Sequence, residues 1–247
     1  MHRKIKDTPE YQALRGLHER MVWTLEELVT EEESKRQVSF LREIKRSVIL
    51  RAIELDLANH DIPILPVIPK NCMGISRQIR FVKFEGRPGQ AYLNLNRVND
   101  ISDIPHFHPY WIFGVELEIE TANMTPEQAI KYITQKGRSP LTLSELVSLQ
   151  LHRNTLESFS FQACSSGYRT LEDDTIVNVP IIYLERGIPI ISWSSMDKNR
   201  DIGENKPWIT PSCKGRIGTL GIRTVLQCRP WRTRKEREDI VEHTPED

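Results

Sequence analysis

The chain has 247 residues, in which 34 Lys and Arg side chains balance 34 Asp and Glu side chains. A zero net charge argues against a dedicated nucleic-acid or membrane-surface binder, because such proteins carry a basic excess. No stretch approaches the roughly 18 consecutive apolar residues of a membrane span, and no apolar segment follows the basic N-terminus as it would in a secretory signal. We therefore expect a cytoplasmic protein without a membrane partner.

The first sixty residues have a helical pattern. Pro9 behind Thr8 is typical of a helix start, and Thr30 followed by glutamates is typical of a second one. Apolar residues recur every three or four positions after both points: Tyr11, Leu14, Leu17, Met21, Leu25 and Leu28, then Val38, Leu41, Ile44, Val48, Ala52 and Leu55. The pattern predicts two helices packed as a hairpin. The alternative is one helix of about fifty residues, roughly 75 Å long.

Short apolar runs replace this pattern after residue 62. They occupy residues 64–68, 78–84, 91–95 and 110–120, and a turn is expected at 86–89. Within the last run, apolar residues at 115, 117 and 119 alternate with glutamates at 116, 118 and 120. A period of two is typical of a strand with one face in solvent, so this run predicts a half-exposed strand.

Two helices and further strands complete the chain. Thr125 and Thr142 each begin a capping-box pattern, and apolar runs follow at 175–185, 188–195 and 218–228. This order predicts an α+β fold, with an N-terminal helical hairpin followed by a mixed or antiparallel sheet into which two short helices are inserted. We expect a helical region over 1–60, an α+β body over 61–228 and a polar tail over 229–247.

The segment 206–216 contains the strongest candidate for catalysis. Cys213 follows Ser212 and lies near several cations, which lower the pKa of a thiol and favour a nucleophile. A nucleophile also needs a base, for which His152 is a candidate. The alternative is a buried structural cysteine. The sequence leaves open whether the protein is an enzyme and whether it has a cofactor.

A second candidate site consists of His106 and His108. Two histidines at this spacing on a strand lie on the same side, as a metal site requires, and Glu116 or Glu118 would supply a carboxylate. Pro105 and Pro109 flank the pair, however. The alternative is therefore a pair of exposed histidines in a loop that leads into a strand.

Three motifs in fixed order resemble an uncharacterised bacterial domain-of-unknown-function family over about residues 110–220. They are a helix start, the end of a strand pair, and a W-x-x-x-S-C-x-x-R segment. The matching positions are Gly137, Arg138, Pro140, Leu141 and Thr142, then Trp193, then Trp208, Ser212, Cys213 and Arg216. The resemblance implies a shared fold and no reaction.

This resemblance suggests that Arg138, Ser212 and Arg216 form one site. In this hypothesis the two arginines, near a Ser-Cys turn, bind an anionic group by bidentate hydrogen bonds. The alternative is that Arg138 caps strand carbonyls and the neighbouring residues pack in the core. Our leading interpretation is a binding or interaction module, whose helices over 9–58 meet a partner or a second copy. An enzyme or small-molecule binder at the arginine cluster is the alternative, and a metal protein through His106 and His108 is the weaker one.

Overall fold

The computed structural model of the chain describes residue 6 and residues 8–29, 32–102, 104–122, 124–169, 176–195, 206–218 and 225–226. The helices are α1 (Pro9–Leu28), α2 (Glu32–Glu43), α3 (Lys45–Glu54), α4 (Ile75–Gln78), α5 (Pro126–Gln135) and α6 (Leu143–Arg153). Single 3-10 turns occupy Ile79–Phe81, Leu95–Arg97 and Ile119–Thr121.

The longer strands are β1 (Ile62–Val67), β6 (Tyr110–Val115), β10 (Ile176–Glu185) and β11 (Ile188–Ser195). The shorter ones are β2 (Lys83–Phe84), β3 (Arg87–Pro88), β4 (Gln90–Ala91), β5 (Val98–Asp100), β7 (Ser139–Pro140), β8 (Ser160–Gln162), β9 (Ser166–Arg169), β12 (Trp208–Ile209), β13 (Ser212–Cys213), β14 (Gly215–Gly218) and β15 (Val225–Leu226). The predicted α+β class is confirmed.

The N-terminal helices form the predicted hairpin. Thr8 caps α1, which packs against both α2 and α3. Glu26 pairs with Arg42 and Glu19 with Lys45, so the two arms run antiparallel. The second arm is interrupted at Ile44, which separates α2 from α3. The predicted hairpin is therefore confirmed, and the alternative of one helix of about fifty residues is excluded.

The helical hairpin packs against the sheet that contains β1 and β6. The ring of His18 on α1 stacks on Trp111 of β6, with the ring centroids 4.4 Å apart. Buried residues of α1 to α3 belong to the same apolar cluster as those of β1 and β6. Hairpin and sheet consequently share one hydrophobic core.

Strand β6 is the central strand of the first sheet. In the part of the chain that the structure describes, this sheet has the order β1-β6-β14-β15, with antiparallel neighbours. Every residue of β6 is buried, since helices α1, α3 and α6 pack around β1 and β6. A continuous apolar run is the pattern expected for a strand that is buried on both faces.

The second sheet is built around the hairpin of β10 and β11. Its order within the described residues is β12-β8-β10-β11-β4, with β9 also pairing with β10 and β5 with β9. Arg186 and Gly187 connect β10 to β11 with φ of 51° and 73°. Positive φ at both turn positions matches the twist of the flanking strands, as in a type I′ turn. The strand pair predicted on either side of this turn is confirmed.

The segment 206–218 joins the sheets of the body. β12 extends the second sheet, β13 pairs with β7, and β14 pairs with β6 in the first sheet. The isolated bridge between Glu116 and Ser212 adds a further connection. The segment 206–216, which contains the candidate nucleophile, is therefore a structural connector in the fold.

Two predicted strands differ from the structure in conformation, and a third, over 91–95, is reduced to Ala91 at the end of β4. Residues 75–81 form helical turns, because the Gln78 amide donates to the carbonyls of Ile68 and Met73 and holds the chain in a compact loop. The second difference follows Val115, where β6 ends. Glu118 is only 4% exposed and Ile119 is 58% exposed, which reverses the predicted alternation.

The strand predicted over 218–228 falls largely outside the described residues, of which it contains Gly218 and the short strand β15. The tail at 229–247 and Cys228 also lie outside them. Among the helices that the structure describes, none has both the length and the apolar composition needed to cross a membrane.

Candidate functional site

Arg138 is the centre of the first buried polar cluster. Its Nε donates to Oγ of Ser212 at 2.6 Å, and one of its terminal nitrogens donates to the carbonyl of Gly114 at 2.5 Å. The same guanidinium lies 3.0 Å from Oε1 of Glu116 and 3.0 Å from Oε1 of Glu118. Arg138 and Ser212 are thus brought together, as predicted, but carboxylates of the chain already neutralise the arginine.

The carboxylate of Glu118 links the side chains of this cluster. Its Oε1 accepts from Oγ of Ser212 at 2.5 Å, and its Oε2 accepts from Nζ of Lys136 at 2.9 Å. Its backbone is left-handed, with φ of 52°, and its carbonyl accepts from Oγ1 of Thr121 at 2.7 Å. A left-handed conformation costs a non-glycine residue about 1 kcal/mol. The three hydrogen bonds offset that cost, and the two from Ser212 and Lys136 keep the carboxylate inside.

Glu145 forms the second buried cluster with Arg216. Two guanidinium nitrogens of Arg216 donate to its oxygens at 2.6 and 2.9 Å, in the bidentate geometry of a strong ion pair. The carboxylate also accepts from the backbone N of Thr142 at 2.8 Å and from the hydroxyl of Tyr110 at 3.0 Å. Burial by itself would raise the pKa of Glu145, but the charge and hydrogen bonds of Arg216 lower it below its usual range. The pair therefore stays ionised in the core.

The two predicted arginines do not form an open anion clamp. Arg216 also donates to Oγ of Ser139 at 3.1 Å and to the carbonyl of Pro140 at 3.2 Å, and its side chain is buried. An external anion would have to displace Glu118 and Glu145 from inside the protein. The geometry is that of two structural ion pairs, each satisfied by further hydrogen bonds.

Cys213 lies between Ser212 and Arg216 in the chain and is fully buried. Its backbone pairs with Ser139 on β7, and its side chain belongs to the main apolar cluster. His152, the candidate base, lies near the opposite end of α6 from β7. His152 is nine positions after Leu143 on this helix, a rise of roughly 14 Å at 1.5 Å per residue. The fold therefore does not bring the candidate nucleophile and base together. Burial lowers the pKa of His152 to about 4.

The two histidines of the candidate metal site lie in the loop that leads into β6. His106 and His108 are both half-buried. Glu116 follows the other end of β6, and six residues of extended chain from Tyr110 span roughly 20 Å. Across the residues that the structure describes, no group of three or more His, Cys, Asp or Glu side chains is arranged to hold a metal ion.

An open cleft of about 480 Å³ lies on the helical hairpin, and we call it the helical cleft. Residues of α1 form one wall, and the second arm supplies the other. The lining residues are His18, Glu19, Arg20, Val22, Trp23, Arg42 and Lys45. Trp23 is 59% exposed beside it. Its volume falls within the roughly 300–1,000 Å³ of small-molecule sites.

His18 forms the buried part of the helical cleft. The side chain is 1% exposed, and its Nε2 lies 3.1 Å from the carbonyl of Leu41. A carbonyl only accepts, so Nε2 carries the proton and Nδ1 presents a lone pair. No group of the described chain donates to Nδ1. Burial lowers the pKa of His18 to about 4, so the ring is neutral near pH 7.

A second open cleft, of about 810 Å³, lies beside the Arg138 cluster. Asp61, Glu116 and Glu120 line it together with Lys136 and Arg153. Both signs of charge are present, and Lys136 is already bound to the carboxylate of Glu118. This mixed lining does not indicate one ligand chemistry.

The sequence patterns did not indicate the carboxylates that neutralise the two arginines, nor the helical cleft. For Glu145 a signal was present, because the capping box at Thr142 places its carboxylate at the start of α6. For Glu118 the alternating pattern was misleading. His18 lies in the apolar stripe of α1, where a single polar residue indicates an unusual environment.

A comparison with protein families places most of this fold in a known group. The family model of DUF5701, a family of unknown function, matches residues 17–175. The match shares residues 110–175 with the resemblance seen in the sequence and extends it into the helical hairpin. No curated protein and no solved structure matches the chain. Because the family model covers more than half of the chain, the chain belongs to the DUF5701 family of unknown function.

Proposed function

We propose that this protein is a binding module and that the helical cleft is its binding site. The observation that carries the proposal is the exposed Trp23 beside a cleft in which cations outnumber carboxylates. Tryptophan and arginine are the residue types that contribute most to binding energy at interfaces. The cleft lies within residues 9–58, the region that the sequence indicated as a partner surface.

The cations of the helical cleft are available to a ligand. Within the described chain, Arg20 has no carboxylate partner. Lys45 pairs with Glu19 at 3.1 Å and Arg42 pairs with Glu26, but all four side chains are partly exposed. Such surface pairs contribute about 0–1 kcal/mol, so an incoming anion can compete for the cations.

The two buried arginines are poorer candidates for a ligand site than the helical cleft. Arg138 and Arg216 are buried and paired with carboxylates of the chain, whereas Arg20 is exposed. Catalysis by Cys213 requires an accessible thiol with a nearby base, and neither requirement fits the geometry described above. Binding through the helical hairpin is therefore the better supported of the two interpretations.

Native mass spectrometry of the untagged protein, purified from its own host, tests the proposal. We expect wild type to carry a bound species or a second chain, and Trp23→Ala to lose it. Tyr92→Ala is the matched control, since Tyr92 is a similarly exposed aromatic residue outside the cleft. A bare wild-type monomer, or equal retention by Trp23→Ala, would contradict the proposal.

We also propose a cytoplasmic and bacterial protein. The location is supported by the four dispersed cysteines, which contain no C-x-x-C pair and form no recognisable disulfide framework. The bacterial origin rests on the family resemblance seen in the sequence. Fractionation of the host cell followed by immunoblotting would test the location, and recovery in a secreted fraction would contradict it.

A further inference from the structure

The charge and size of the helical cleft indicate what class of ligand it takes. This inference rests on the proposed binding function and deepens it. Arg20, Arg42 and Lys45 line the cleft, and Glu19 is the carboxylate among the lining residues. Hydrogen bonds from Arg15 and Lys45 lower the pKa of Glu19, so its charge is already matched by cations. The cleft therefore favours an anion.

Trp23 adds a requirement for a planar group. The indole lies on the same wall of the cleft as Arg20, three residues away on α1, and side chains at this spacing are neighbours on a helix. An exposed indole beside a guanidinium provides a face for a planar ring and a cation for an anionic group attached to it. A ring stacked on Trp23 would thus place a linked anion near Arg20.

His18 takes no part in this recognition. Its ring forms the floor of the cleft, but Nδ1 is closed to solvent and the ring is stacked on Trp111. The matching ligand therefore combines a planar ring with an attached anion.

We propose that the helical cleft binds a nucleoside monophosphate. The base stacks on Trp23, and the phosphate lies against Arg20 with Arg42 and Lys45 nearby. The cleft volume of about 480 Å³ accommodates a ligand of this size.

Isothermal titration calorimetry of the full chain with AMP, GMP, CMP and UMP, each alone, tests the proposal. We expect saturable binding of at least one nucleotide with one site per chain. The corresponding nucleoside and inorganic phosphate should each bind at least about tenfold more weakly, since each lacks one of the two anchors. Raising the salt concentration should weaken binding, as expected for exposed ionic contacts. Absence of saturable binding by all four nucleotides would overturn the proposal.

Single substitutions locate the binding. Trp23→Ala and Arg20→Ala should each weaken nucleotide binding about five- to fiftyfold, the range expected for a lost stacking partner or charge-assisted hydrogen bond. Tyr92→Ala and Arg80→Ala remove an exposed aromatic residue and an exposed arginine elsewhere and should bind as wild type does. Equal affinity of all four variants would place the nucleotide outside the cleft and refute the inference.

The two proposals fail separately. If native mass spectrometry finds a bound protein or a ligand without phosphate, and Trp23→Ala loses it, the binding function stands and the nucleotide inference is wrong. If wild type carries nothing and no nucleotide binds, both are wrong.

Discussion

Replacing Glu145 with alanine should be among the most destabilising single changes in this chain. Its carboxylate is fully buried and accepts from both Arg216 nitrogens, the backbone of Thr142 and the hydroxyl of Tyr110. The substitution leaves the guanidinium of Arg216 in the core without its counterion. It also removes the side chain that satisfies the first turn of α6.

The expected loss is about 4 kcal/mol, because breaking one partner of a buried ion pair costs roughly 3–5 kcal/mol. A domain is stable by only about 5–15 kcal/mol, so Glu145→Ala should unfold at a much lower urea concentration. Gln128→Ala is the matched control. Gln128 occupies the same capping-box position on α5 but is exposed, so its loss should cost about 1 kcal/mol or less.

Urea unfolding followed by circular dichroism measures both variants. If Glu145→Ala and Gln128→Ala differ by less than about 1 kcal/mol, the buried pair does not have the importance that its geometry indicates. The double variant Glu145→Leu/Arg216→Met supplies a second check. It removes both charges together and should be more stable than Glu145→Ala, because no buried charge is left without a partner.

Three further predictions concern pH, thiols and the hairpin. The pKa of His18 is lowered to about 4, so protonation of the unfolded chain below pH 6.5 should remove about 2 kcal/mol of stability between pH 7 and pH 5. Urea unfolding at both values measures this loss, and a His18→Phe variant with the same pH dependence would refute the assignment. Iodoacetamide labelling read by peptide mass spectrometry should modify Cys72, which is half-buried, before the fully buried Cys164 and Cys213. If Cys213 were labelled faster than Cys72 and Cys164, the result would support the enzyme interpretation. Deleting residues 1–60 should unfold the body, since hairpin and sheet share one core; a cooperative thermal transition in the truncated chain would support the domain division predicted at residue 60.

Local patterns were sufficient for α1, α5 and α6 and for the β10–β11 hairpin. Thr8 with Pro9, Thr125 with Gln128, and Thr142 with Glu145 form the predicted caps, because capping depends on residues within one turn. The turn at Arg186-Gly187 was likewise visible from its own residues. Such signals do not depend on what packs above them.

Patterns of polarity failed where a charged residue found a partner far away in sequence. The sequence pattern predicts that Glu118 faces solvent on a strand. In the structure, hydrogen bonds from Lys136 and Ser212 hold its carboxylate inside the protein. Ser212 is 94 positions from Glu118 in the chain, so no local rule could connect them. Arg138 and Arg216 resembled an open anion clamp for the same reason, because the carboxylates that neutralise them, Glu118 and Glu145, are distant in sequence.

The sequence by itself determined the α+β class, the starts of α1, α5 and α6 and the main strand hairpin, because these follow from capping, periodicity and turn chemistry within a few residues. Only the tertiary structure decided whether the charged residues face ligands or each other, since that depends on which distant side chains meet. The Ser-Cys segment connects sheets of the body. The candidate site is instead the helical cleft, where Trp23 and Arg20 are exposed.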